Sequence, residues 1–189
     1  FGGAGYFKKK YPGIQVLESE ADWRLMAAST ETRSDRDPPP ARDQVVTDGQ
    51  KLTLGDTTVT LHITPGHTPG SVSAIFPVTD RGERHVAALY GGVAFPLHLE
   101  PRATDRGLDE HMRQWKRFGA IAQAAGADIA LSTHPGFDGS EANTEKVRWR
   151  RPGDPNPWVL GKDGYTAYLK AVEEASEAVR GIIKLTGGN

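Results

Sequence analysis

The most informative stretch of this sequence is Thr64-Pro65-Gly66-His67-Thr68-Pro69-Gly70-Ser71, in which one histidine lies between two Pro-Gly pairs. Prolines restrict the backbone and glycines permit close backbone approach, so this turn should hold the His67 imidazole rigidly. A rigid imidazole suits a metal ligand, and the same pattern also suits a structural turn residue.

Residues 57–64 lead into this turn and show the period-two alternation of a half-buried strand. One face would carry Val59, Leu61 and Ile63, and the opposite face would carry His62 with two threonines. Other apolar and β-branched runs predict strands at residues 14–17, 45–46, 51–54, 71–78, 85–90 and 127–131.

A second histidine, His134, lies in Leu131-Ser132-Thr133-His134-Pro135-Gly136, 67 residues after the first. It also follows an apolar strand and precedes a Pro-Gly pair. Two strand-end loops that each offer one imidazole are what a metal site at the edge of a sheet requires. The chain has no cysteine, so histidines and carboxylates are the side chains that remain as zinc ligands.

Apolar residues at three- and four-residue spacings predict two long helices, at about residues 108–125 and 163–183. The second would bury one side made of Tyr165, Leu169, Val172, Val179 and Ile182. Shorter elements are predicted as helices at residues 3–11 and, after the cap Ser19, at 20–28, and as a charged, proline-rich surface loop at 29–43. Strands followed by interleaved helices favour a layered α/β fold.

The bulk composition bounds the size and the partners of the chain. With 189 residues, of which 37% are hydrophobic and 25% charged, it fits one globular domain over residues 1–189, with a C-terminal helical extension at about 141–189. A formal net charge of −1 gives no positive field for nucleic acid, so a small-molecule substrate is favoured. No apolar run approaches the roughly 20 residues that span a bilayer, which excludes a membrane span.

The motif around His67 resembles that of the third histidine ligand in the metallo-β-lactamase superfamily. The order that follows it, two strands, a long helix and then Ser132-Thr133-His134-Pro135-Gly136, is similar to the lactamase subclass that lacks a cysteine ligand. This resemblance covers roughly residues 1–140. It implies the C-terminal two-thirds of an αββα sandwich, with mixed sheets and outer helices.

The resemblance further implies a zinc-dependent hydrolase in which His67 and His134 help to bind one or two Zn²⁺ and a metal-bound hydroxide attacks a carbonyl, such as a β-lactam amide. In the family, a segment like Phe1-Gly2-Gly3-Ala4 follows a His-x-His-x-Asp-His motif that supplies the other ligands. We therefore expect a missing N-terminal segment of the same protein as a partner, and an inactive fragment in its absence. Relatives with lactamase activity are often exported, which favours a periplasmic or secreted protein over a cytoplasmic one.

Three residues are candidates for the substrate cleft, namely Gly92, Val93 and His98. Family members that cleave thioesters or lactones often have an aspartate where this chain has Gly92, so those activities are disfavoured. Lactamases of the cysteine-free subclass usually have a serine close by, and Val93 is not a serine. The open alternatives are a lactamase, another small-substrate hydrolase acting on an ester or similar bond, and a catalytically inactive binding module. For His62, His85 and His111 the sequence predicts surface or structural roles.

Overall fold

The computed structural model describes residues 2–29, 37–93 and 105–185. Its elements are α1 (Gly2–Lys10), β1 (Leu17–Ser19), α2 (Glu20–Ala28), β2 (Gln44–Val46), β3 (Lys51–Leu54), β4 (Thr57–Ile63), β5 (Val72–Asp80), β6 (Glu83–Tyr90), α3 (Asp105–Ala124), β7 (Ile129–Ser132), α4 (Ser140–Arg148) and α5 (Gly161–Leu185). A short 3₁₀ turn, Pro135–Phe137, lies between β7 and α4. The predicted α/β class is therefore confirmed.

The principal sheet has five strands in the order β3-β4-β5-β6-β7. Pairing is antiparallel from β3 to β6, and β7 then adds in parallel, with Tyr90 opposite Ser132. A separate two-stranded parallel sheet joins β1 to β2. The resemblance implies mixed sheets; the principal sheet is mixed, and the two-stranded sheet is parallel.

The hydrophobic core lies between this sheet and the helices α3 and α5. Helix α3 contributes a fully buried stripe, and the facing strands contribute small and aromatic side chains; the cluster includes Leu108, Met112, Trp115, Phe118, Ala122, Ile75, Ala88, Tyr90 and Ala130. The indole Nε1 of Trp115 donates to the Leu169 carbonyl at 3.2 Å, which joins the two helices. Each large side chain buried here contributes about 1.5–3 kcal/mol. The sheet edges are thus held on a rigid support.

Strand β4 alternates as predicted, but its more buried face is the polar one. His62 is only 8% exposed and its ring lies 5.9 Å from the ring of Phe118 on α3. Leu61 and Ile63 are only half-buried. Helix α3 covers the face that carries His62, because that face also presents the core residue Ile75 from β5.

The structure differs from the sequence predictions at one strand start and at one predicted buried residue, besides small shifts in the ends of other elements. The first strand begins at Leu17 and not at residue 14, because the Val16 amide donates to the Asp43 carboxylate at 3.1 Å and not to a neighbouring strand. In α5, Ile183 is 1% exposed whereas Ile182 is 47% exposed, since the buried stripe follows the helical repeat onto residue 183.

The predicted loop at 29–43 is described only in part. Residues 37–43 have no regular secondary structure, and residues 30–36 lie outside the described residues. Among the helices that the structure describes, none has the length and apolar character needed to cross a membrane.

Candidate metal centre

The candidate centre lies at one edge of the principal sheet, where three strands end. Strands β4 and β6 are each antiparallel to β5, and β7 is parallel to β6, so all three run in the same direction. His67 follows the end of β4, Gly92 follows β6 and His134 follows β7. Because Tyr90 pairs with Ser132, Gly92 and His134 each lie two residues beyond the last pair of the β6–β7 ladder. The fold therefore brings both histidine loops to the same edge.

The His67 loop is defined here as residues 64–71. Its backbone closes on itself, since Thr64 N–H donates to the Ser71 carbonyl at 2.7 Å and Gly66 N–H donates to the Thr68 carbonyl at 3.0 Å. The Ser71 hydroxyl oxygen also accepts from Thr68 N–H at 3.0 Å. Gly66 has a φ of 150°, a value that side chains rarely allow. These bonds fix the backbone on both sides of the imidazole.

Gly92 lies directly against His67. A Cβ at position 92 would be 2.2 Å from the His67 Cβ, so only glycine permits this approach. The residue was predicted to line a substrate cleft, and its observed neighbour is the candidate metal ligand itself.

His111 lies next to the site, although the sequence predicted only a surface or structural role for it. It is fully buried, and a Cβ at Gly66 would lie 2.6 Å from its Nδ1, so its ring supports the His67 loop from below. The pKa of His111 is lowered to about 4, chiefly by burial and also by the nearby His67, although a hydrogen bond with the Val93 backbone opposes the shift. His111 is therefore neutral near pH 7. Its spacing from Leu108 and Trp115 on the apolar stripe of α3 was the signal for burial.

The other two cleft candidates have different outcomes. Val93 is 4% exposed and packs in the hydrophobic core, which argues against a side chain that faces substrate. His98 lies outside the described residues.

The His134 loop is defined here as residues 132–140. Its imidazole is exposed, and the ring centroid lies 6.2 Å from that of Phe137. Asp138 organises the backbone, because its Oδ2 accepts from Ser132 N–H at 2.8 Å and its Oδ1 accepts from Ser140 N–H at 2.9 Å. The His134 N–H donates to the Ser132 hydroxyl at 3.1 Å. The hydrogen bonds of Asp138 to Ser132 and Ser140, and that of His134 to Ser132, are all made within the loop. Contacts from outside the loop are the β6–β7 pairing at Ser132 and the bond from Asn143 Nδ2 to the Asp138 carbonyl.

The two imidazoles have the donor chemistry that zinc prefers. Gly92 leaves room for the His67 loop to approach the ends of β6 and β7. Within residues 2–29, 37–93 and 105–185, no group of three or more histidines, aspartates or glutamates is arranged to hold a metal ion. A catalytic zinc takes three protein ligands and a water, so this pair fits the metal but supplies at most two of the ligands.

No protein-family model matches the chain. Among solved structures it is similar to BJP-1, a subclass B3 metallo-β-lactamase of Bradyrhizobium japonicum, with 27% identity and a TM-score of 0.73 over 98% of this chain and 69% of that one. The chain has the fold of the metallo-β-lactamase superfamily. The likeness predicted from the His67 motif is confirmed.

Other metallo-β-lactamases show the same fold at lower identity. Native FEZ-1 from Legionella gormanii is 19% identical, with a TM-score of 0.72 over 99% of this chain and 71% of that one. A Cronobacter sakazakii metallo-β-lactamase with a HARLDQ motif is 24% identical, with a TM-score of 0.69 over 97% of this chain and 65% of that one. The chain thus spans about two-thirds of the length of these metallo-β-lactamases.

At the opposite end of this metallo-β-lactamase-fold sheet lies a histidine–aspartate pair, His85 and Asp128. His85 Nδ1 is 2.6 Å from Asp128 Oδ2, and Asp128 Oδ1 accepts from Val86 N–H at 3.0 Å. The pair joins the start of β6 to the residue before β7. It is therefore remote from the edge where His67 and His134 lie.

Proposed function

We propose that this chain is part of a zinc-dependent hydrolase and that His67 and His134 are two of its metal ligands. The observation that carries the proposal is that two histidine loops, each with a Pro-Gly pair, follow strands that end at the same edge of the sheet, the one formed by the ends of β4, β6 and β7. The likeness to a subclass B3 metallo-β-lactamase supports it. By analogy with the family, His67 would complete one zinc site and His134 the other.

Zinc, when bound, would supply Lewis acidity and would lower the pKa of a coordinated water toward about 7. The residues of this chain would provide the setting for that chemistry. The His67 loop holds one imidazole in a fixed orientation through its internal hydrogen bonds. His111 supports that loop and, being neutral near pH 7, brings no positive charge to the cation.

Two imidazoles leave at least one position of a three-ligand site to other residues. We propose that the remaining ligands belong to a segment of the same protein that packs beside this edge, as the resemblance to the family implies. The fragment of 189 residues would then bind zinc weakly by itself.

The proposed substrate is a small molecule with a carbonyl at the scissile bond, and a β-lactam amide is the first candidate because BJP-1 is a metallo-β-lactamase. A panel of nitrocefin, a carbapenem and p-nitrophenyl esters, tested on the full-length protein, distinguishes a lactamase from an esterase. Turnover of esters without turnover of either lactam would reject the β-lactam substrate and retain the hydrolase.

The ligand assignment is tested by zinc content. We expect full-length protein purified without chelator to contain zinc. A His67→Ala variant should lose most of that zinc, because a catalytic zinc site has only three protein ligands and alanine cannot replace one of them. His85→Ala is the matched control, since it also removes an imidazole but at the opposite end of the sheet. Equal zinc content in the His67→Ala variant and the unsubstituted protein, by plasma mass spectrometry, would reject His67 as a ligand.

A second candidate is a non-catalytic binding module. It is favoured by one observation, namely that the described ranges contain no three-residue group suited to a metal ion. Full-length protein that contains no zinc and hydrolyses none of the panel would support this alternative.

Export to the periplasm or the medium is also part of the proposal and rests on the resemblance alone. Fractionation of expressing cells, with a cytoplasmic enzyme as marker, tests it. Recovery of the full-length protein entirely with that marker would contradict export.

A further inference from the structure

Asp22, in the first turn of α2, contacts the His67 loop with both carboxylate oxygens. Its Oδ2 accepts a hydrogen bond from the Thr68 hydroxyl, and its Oδ1 accepts from Gly70 N–H at 2.8 Å. The side chain is buried, with 9% of the residue exposed. Hydrogen bonds to an ionised carboxylate are about twice as strong as neutral ones, so these two bonds are a substantial restraint on the loop.

The loop is also in close van der Waals contact with the start of α2. A Cβ at Gly70 would lie 1.8 Å from the Ser19 Oγ and 2.9 Å from Asp22 Oδ1. Ser19 in turn accepts from Asp22 N–H at 3.1 Å and so caps the helix. The cap therefore holds Asp22 at the position from which it reaches Thr68 and Gly70.

The backbone of the His67 loop is held both after and before the histidine in sequence. Thr68 and Gly70, which follow the histidine, are bound by Asp22. Gly66, which precedes the histidine, packs against His111. The residue between them has little freedom to move its backbone, and the backbone sets the direction in which the side chain that carries the imidazole leaves it.

We propose that Asp22 is a positioning residue for His67, which acts by fixing the backbone at positions 68 and 70 and so the direction of the imidazole. The effect on the backbone and ring is independent of any metal. Its consequence for zinc rests on the proposed function, in which His67 is a ligand. Groups that orient a metal ligand typically change metal affinity about 10- to 100-fold when they are removed.

The first arm of the test is metal-free and uses the full-length protein after its metal has been removed with a chelator. Asp22→Asn keeps the shape of the side chain and removes its charge, and Thr68→Val removes only the hydroxyl donor. We expect amide hydrogen exchange at Gly70 to rise roughly tenfold or more in Asp22→Asn, and the His67 ring signals in NMR spectra to shift or broaden in both variants. Glu20→Gln is the matched control, because it makes the same charge change on the same helix and contacts surface arginines.

The pattern of exchange separates positioning from general stability. Positioning predicts faster exchange confined to residues 64–71. If exchange instead accelerates uniformly over α2 and the sheet, by the factor that the loss of unfolding free energy predicts, the proposal is overturned. Gly70 exchange and His67 ring signals that match the unsubstituted chain in both variants would also overturn it. If Asp22→Asn does not fold, Thr68→Val alone decides.

The second arm measures zinc affinity of the full-length protein by competition with a chromophoric chelator. We expect Asp22→Asn to weaken it about tenfold or more, and Glu20→Gln to leave it within twofold. If His67→Ala leaves zinc affinity unchanged, the proposed function fails, and the metal-free arm still decides whether Asp22 positions the ring. If His67→Ala loses zinc and Asp22→Asn does not, the proposed function stands and the consequence of Asp22 for zinc is overturned.

Discussion

The two histidine loops reach the same edge of the sheet by different means. The His67 loop is half-buried and is restrained by residues distant in sequence, including Asp22 on α2 and His111 on α3. The His134 loop is more exposed, and the hydrogen bonds that His134 and Asp138 make to Ser132 lie within the same loop. One candidate ligand is thus positioned by the tertiary fold and the other by local hydrogen bonds.

This difference has a thermodynamic meaning. A ligand whose backbone is already ordered loses little conformational entropy when it binds a metal, whereas an exposed side chain must be ordered at that moment. We therefore expect His67 to respond to changes in the fold around it. His134 should respond mainly to changes inside residues 132–140.

The largest effect should come from filling the space between the His67 loop and β6. Gly92→Ala adds a Cβ where the His67 Cβ already lies, 2.2 Å away. We expect a loss of about 3 kcal/mol in the free energy of unfolding, measured by urea denaturation, because overpacking forces the backbone to shift.

Gly136→Ala makes the same substitution in the His134 loop, where a Cβ would have nothing within 4 Å. It should change stability by less than about 0.5 kcal/mol. Equal losses in the two variants would mean that the two loops are packed alike, and the comparison between them would fail.

A smaller effect should follow from removing the local restraint of the His134 loop. Asp138→Ala deletes the acceptor of the Ser132 and Ser140 amides, which should lower the free energy of unfolding by about 1–2 kcal/mol. Hydrogen exchange should accelerate at those two amides and not at Gly70. Faster exchange at Gly70 in this variant would show that the two loops are coupled, contrary to the locality inferred here.

The smallest effect should be a pH dependence of the free energy of unfolding that comes from His62, on the strand that leads to His67. Burial lowers the pKa of His62 below its ordinary 6.5, Arg117 lowers it too, and Asp48 opposes both. Below pH 6.5 the unfolded chain therefore binds a proton that the folded chain resists, so stability should fall as pH drops from 6.5 toward the folded pKa.

His62→Gln should reduce this acid-side loss, when urea unfolding is compared at pH 7.5 and pH 5.5. The other titrating groups are common to both proteins, so the difference between them isolates His62. An identical pH slope in the two proteins would contradict the prediction.

The sequence predicted the parts of the fold that depend on periodicity and on turn chemistry. The apolar stripe of α3, the alternation of β4 and the Pro-Gly frames around His67 and His134 are local patterns, and the structure contains each of them. The edge shared by the two loops was suggested by their common strand-end pattern and by the family resemblance, because strand order cannot be derived from periodicity.

The contacts that sequence reasoning missed all join residues that are distant along the chain. Asp22 and Thr68 are 46 positions apart, and no repeat or motif connects them. The covered face of β4 depends on where α3 packs, so the burial of His62 could not be read from the alternation alone. Gly92 was predicted to line a substrate cleft and was noted for a missing aspartate, while its contact with His67 depends on how two loops meet.

The parallel addition of β7 has a consequence for the order of folding. Strands β3 to β6 are joined by short connections and pair with their neighbours in sequence, whereas β7 reaches β6 only after helix α3 has crossed the sheet. Pairings between distant segments form more slowly than local ones. We therefore expect the hairpins that end at His67 to assemble before the strand that precedes His134. Quenched-flow hydrogen exchange should find the amides of β4 and β5 protected earlier than those of β7.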